Sequence, residues 1–172
     1  MKLISGLMLI LLLGTVSSSI AIAKEMKYNH NSLTIAEVKK EVNFKVLVPK
    51  KVPEEWTLEI KTRDNKEGNL SSIRLHYMNE NDENLILGIE ERKVSKRVIS
   101  QLEEEFSEGE KIKIKINDVP AYYQEWANGG KELNGKVITG GLLTWIEDET
   151  YVQMDSSFLS KDEMVEIART FR

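Results

Sequence analysis

The stretch KIKIKINDVPAYYQEW, Lys111 to Trp126, decides the fold class. Lysine and isoleucine alternate strictly from Lys111 to Ile116, a period of two that an extended strand converts into one wet and one apolar face. Asn117 and Asp118, with Pro120 just beyond, supply turn residues, and Ala121 to Trp126 returns as a second strand. Strands joined by so short a turn pair antiparallel.

The same grammar extends in both directions. Toward the C-terminus, Ala127 to Lys136 (ANGGKELNGK) reads as a long glycine-rich hairpin loop, and Val137 to Ile146 and Tyr151 to Met154 as strands joined through Glu147 to Glu149. Ser160 with Glu163 then makes a capping box and Leu159 with Met164 a hydrophobic staple, opening a helix whose apolar stripe is Met164, Ile167, Ala168 and Phe171. Toward the N-terminus, Val98, Ile99, Leu102 and Phe106 predict a partly exposed helix within 94 to 106. Leu85 to Ile89 is apolar on both sides, so both faces of that strand need cover. Ile73, Leu75 and Tyr77, and Trp56 to Lys61, alternate like half-wet strands, and Phe44 to Val48 reads as a strand stopped by Pro49. Thr34 with Glu37 and Leu33 with Val38 repeat the box and staple, so a short helix is expected to run to about Glu41.

Together these elements predict an α+β fold, a curved antiparallel sheet of about seven or eight strands with the N- and C-terminal helices on one face. No repeat or composition break divides residues 32 to 172, which form one domain.

The opening segment sets the compartment. Lys2, the apolar run from Leu3 and the small-residue end Ala21-Ile22-Ala23 have the three parts of a secretory signal, so residues 1–23 are expected to be removed and the mature chain to begin at Lys24, secreted or extracytoplasmic. The alternative is a retained anchor, the only route to membrane contact, since about 20 apolar residues can span a bilayer. Residues 24–31 (KEMKYNHN) are polar and aperiodic and read as a flexible tether. With no cysteine there is no disulfide framework, and the core alone must hold the fold. The chain carries 24 basic against 28 acidic residues, and loss of Lys2 leaves 23 against 28, an acidic balance that argues against nucleic acid as a partner.

Val42-Asn43-Phe44-Lys45-Val46-Leu47-Val48-Pro49, Val52-Pro53-Glu54-Glu55-Trp56, Ile116-Asn117-Asp118-Val119-Pro120-Ala121, Leu143-Thr144-Trp145 and the closing Leu159-Ser160 helix resemble an uncharacterised domain family of exported and membrane-anchored proteins of Gram-positive, often spore-forming bacteria. That family is known only as a domain of unknown function. It looks distantly similar to half-barrel lipoprotein carriers and to extracytoplasmic sigma-regulator domains. The resemblance implies a curved antiparallel sheet with helices on one side, and its motifs are structural.

Motifs with chemical meaning are few. Gly130 to Lys136 spells G-x-x-x-x-G-K, but Val137 replaces the hydroxyl that would hold magnesium and a strand follows where a phosphate site needs a helix. Asn79, Asn81, Glu83 and Glu90 fall at calcium-loop spacing, yet Asn84 stands where that loop needs glycine. His76 alternates with Leu75 and Tyr77 and so points away from them, a lone imidazole that fits neither a metal set nor a triad. No catalytic residue, metal ligand or cofactor is assigned. Glu59, Glu90, Glu91, Glu125 and Glu147 are the carboxylates from which a wall-directed hydrolase would draw its pair.

The expected function is therefore a non-enzymatic binding module for an apolar or peptide-like ligand at the cell envelope, with Tyr122, Trp126 and Leu142 lining the groove. The alternatives are an envelope structural, interaction or regulatory protein, whose anionic partner would meet the stripe Lys111, Lys113 and Lys115, or the hydrolase just named.

Overall fold

The structure is a computed structural model and describes residues 26–29, 31–65, 68, 70–107, 111–126, 131–133 and 135–172. Residues 1–23, read above as a signal, lie outside the described residues. In chain order the elements are α1 (Ile35–Glu41), β1 (Thr57–Asp64), β2 (Leu70–Met78), β3 (Leu85–Lys93), α2 (Lys96–Ser107), β4 (Ile112–Ile116), β5 (Val119–Glu125), β6 (Lys131–Leu133), β7 (Lys136–Ile138), β8 (Gly141–Glu147), β9 (Thr150–Ser156) and α3 (Lys161–Ala168). Seven strands form one curved, open antiparallel sheet in the order β1-β2-β3-β9-β8-β5-β4, so β3 and β9 join two meanders at the centre. β6 and β7 pair separately as a small ribbon. The glycine-rich segment thus carries its own strands, and the run expected from Val137 to Ile146 is broken at Thr139-Gly140. Gly140 has φ +68, and a Cβ there would come within 2.3 Å of the Ser156 carbonyl oxygen. No side chain fits this bend, which Tyr123 Oη secures by donating to the Gly140 carbonyl at 2.8 Å.

Register assigns every side chain to a face. Ile60, Leu75, Ile89, Met154, Leu143, Tyr123 and Ile112 lie in one row across the sheet, on what we call the inner face. Leu58, Leu75, Tyr77, Leu87, Ile89, Leu143, Val152 and Met154 are wholly buried there. α1 and α3 lie on this face and add Val38, Met164 and Ala168 to the same core. Both capping boxes form: Thr34 and Ser160 accept from the amides of Glu37 and Glu163, whose carboxylates return the bond to the cap amides at 2.7 and 2.8 Å.

Residues 44–48 correct a sequence expectation, for they join no strand. This strap crosses the inner face with its backbone held largely by side chains: the Leu47 amide donates to Glu91 Oε2 at 3.0 Å, and Thr150 Oγ1 donates to the Lys45 carbonyl at 3.0 Å. Pro49 makes an isolated bridge to Phe171. A buried backbone needs partners for its polar groups, which explains why Glu91 and Thr150, both fully buried, occupy inward positions on apolar strands.

Part of the segment read as a tether is docked. The Leu58 amide donates to the Lys27 carbonyl at 2.8 Å, the Asn29 amide donates to the Leu58 carbonyl at 3.0 Å, and Tyr28 packs on the core. This covers the start of the outer edge of β1.

Candidate functional site

The outer face divides into two territories. Over β9, β8 and β5, α2 lays Val98, Ile99, Leu102 and Phe106 against Tyr122, Ile146 and Tyr151, a second, smaller apolar cluster. Phe106 stacks on Tyr122 with ring centroids 4.8 Å apart. Beside this contact opens a cavity of about 300 Å³ lined by Phe106, Tyr122, Pro120, Ile146 and Trp145, with Lys113 and Glu103 completing the lining. Lys111 bends over the Phe106 ring at 4.7 Å, and Lys113 lies 5.9 Å from the Tyr122 ring centre. An aromatic wall with a cation beside it suits an apolar group carrying an anionic end.

The second territory, over β1, β2, β3 and β9, is charged. Arg74 lies at its centre: Nη2 meets Asp155 Oδ1 at 2.7 Å, Nη1 is 3.7 Å from Glu90, and Nε donates to His76 Nε2 at 3.0 Å. His76 Nδ1 is 3.7 Å from Glu59. Burial and the Arg74 guanidinium hold the His76 pKa below its usual value, so at neutral pH the ring is uncharged and can accept from arginine. Gly88 makes the arrangement possible, since a Cβ there would stand 2.8 Å from both Arg74 Nη2 and Asp155 Oδ1. A shallow depression of about 170 Å³ beside it is lined by Lys61, Arg63, Ser72, Arg74 and Glu90.

Of the sequence-chosen groove residues, Tyr122 and Leu142 lie on the outer face without converging. Tyr122 lines the cavity; Leu142 lies one row away, between Asp155 and Gln124, and Trp126 follows the end of β5 with its amide directed to Gly140. Of the lysine stripe, Lys113 and Lys115 project outward from β4, while Lys111 precedes the strand and lies 3.8 Å from Glu105. Phe106 and Ile146 belong to the cavity but were not among the expected lining; the helical spacing that marks Phe106 as apolar does not say which strand it will meet.

A family model described as Domain of unknown function (DUF4367) matches residues 46–170. The chain belongs to this family. The DUF4367 span begins inside the strap and takes in the whole sheet, α2 and α3, while α1 and the docked 27–29 segment precede it. The cavity and the charged territory both lie within the DUF4367 domain. Comparisons with curated proteins and with solved structures returned no match.

The remaining motifs resolve locally. Asn79 Oδ1 accepts from the amides of Glu83 and Asn84 at 2.8 and 2.9 Å, closing a turn at the calcium-like spacing, while Glu90 is turned to Arg74. Among the described residues no three histidine, aspartate or glutamate side chains are grouped to hold a metal ion, and no helix is long and apolar enough to cross a membrane. Among the described residues Glu91 has the most shifted carboxyl. Burial pushes its pKa up to about 8, against the lowering effects of the Leu47 amide and Lys39. Its Oε1 has no hydrogen-bond partner, as suits a protonated acid that serves the strap.

Proposed function

We propose that this DUF4367 protein is a non-enzymatic binding module working outside the cytoplasm, and that it takes the apolar part of an envelope ligand into the cavity between α2 and the sheet. The observation that carries this reading is the 300 Å³ space walled by Phe106, Tyr122, Ile146 and Pro120, with Lys113 beside it, a size and lining suited to a small apolar group with one anionic end. The state of the carboxylates supports a role without catalysis. Glu59 is engaged by Lys61 and His76, Glu90 by Arg74, Glu91 by the strap, Glu125 by Thr139 and Glu147 by Lys45.

Titration of the protein from Lys24 onward with a medium-chain fatty acid and with an environment-sensitive apolar dye tests the reading. One saturable site is expected, weakened about tenfold by Tyr122→Ala and by Phe106→Ala, the order of the loss of one buried aromatic contact, and much less by Trp126→Ala or Leu142→Ala. Non-saturable binding, or equal effects of all four substitutions, would discard it.

A further inference from the structure

The two edges of the sheet differ. The start of β1 is covered, at Leu58 by Lys27 to Asn29 and at the Ile60 amide by Ser32 Oγ, whereas β4 pairs only with β5, and among the described residues no backbone group bonds to its outer side. An open edge is a template for another strand, and proteins commonly blunt it with charge. β4 is blunted on one face alone. Lys113 and Lys115 project outward, but Ile112, Ile114 and Ile116 occupy the inner phase, and Ile112 is 47% exposed. Ile112 also borders a cleft of about 250 Å³ whose apolar side is Tyr123, Val137 and Ile138 and whose polar side is Glu125, Thr139 and the start of α3; Val137 is 72% exposed.

We infer that the outer edge of β4 receives an extended peptide that alternates apolar and acidic side chains, added as an eighth strand. Alternation forces the pattern: the peptide's inward side chains meet Ile112, Ile114 and the cleft, and its outward ones stand beside Lys113 and Lys115. The same alternation disfavours a second copy of this chain. Any β4-to-β4 pairing that keeps isoleucine against isoleucine also sets lysine against lysine, and like charges directly opposite are destabilising. The lysines therefore select for an acidic partner as well as against self-pairing. This surface shares Lys113 with the α2 cavity, but Ile112, Ile114 and Lys115 lie outside the cavity lining, so either reading can fail alone.

The test uses a short, fluorescently labelled, acetylated peptide alternating glutamate with valine, and its lysine–valine counterpart. The glutamate peptide is expected to bind saturably, more weakly at high salt, and to slow amide hydrogen exchange within Ile112–Ile116. Lys115→Glu is expected to weaken it about tenfold, and Lys113→Glu with Lys115→Glu to transfer preference to the lysine peptide; both positions are exposed, and circular dichroism checks the fold. Phe106→Ala is expected to leave the peptide bound while weakening the fatty acid. Absent binding, binding without protection of β4, indifference to charge reversal, or wild-type dimers joined at β4 would each overturn the inference.

Discussion

The two faces of the sheet use similar residue types for opposite ends. On the inner face Glu91, Thr150 and Ser156 lie buried, each bonded to backbone: Glu91 and Thr150 to the strap, and Ser156 to the Phe158 and Leu159 amides that leave β9. On the outer face the Arg74 cluster is bonded to other side chains and partly open to water. The difference teaches that a strongly shifted carboxyl can mark a structural contact, for burial raises the Glu91 pKa at the place where that side chain holds the strap.

Neighbours on β8 give the sharpest way to break that comparison. Trp145 points inward, is 1% exposed and meets Phe171 edge-on at 5.1 Å, while Ile146 points outward into the smaller cluster. Trp145→Ala should cost about 3–5 kcal/mol in denaturant unfolding and Ile146→Ala about 1–2 kcal/mol. Equal costs would show that the faces are equally sealed.

A smaller effect separates support from chemistry at Glu91. Its folded pKa of about 8 stands above its ordinary 4.5, so the folded chain keeps a proton that the unfolded chain has lost. The contribution to stability is full below pH 4.5 and is lost as pH rises to about 8. Thermal unfolding across that window should show the decline, and Glu91→Gln should flatten it. Glu91→Ala, which strands the Leu47 amide, should cost about 1–3 kcal/mol at pH 5. The slightest expected effect is outward again: Arg74→Ala should change stability by about 1 kcal/mol or less, because its partners remain partly hydrated.

Elements specified locally were legible. Thr34 and Glu37, and Ser160 and Glu163, announce their helices within four residues, and the Lys111–Trp126 hairpin is written in its alternation. The strap was not. Phe44 to Val48 has the composition of a strand, but its partners are single side chains on β3 and β9 and the Arg172 amide, and only tertiary register brings Glu91 and Thr150 beneath it. The cavity was half legible for the same reason: Tyr122 was visible as an aromatic on a strand, while α2, the link between the two meanders, carries no local signal of which strands it will cross.

The strand order carries a kinetic consequence. β3 and β9 form the central seam, pairing Gly88 with Asp155 and Lys93 with Thr150, so the middle of the sheet closes last in sequence terms. Each meander can assemble from hairpins, but neither is complete until that long loop shuts, and loop closure of this kind slows folding more than it lowers stability. Refolding should therefore be paced by the docking of two preformed halves.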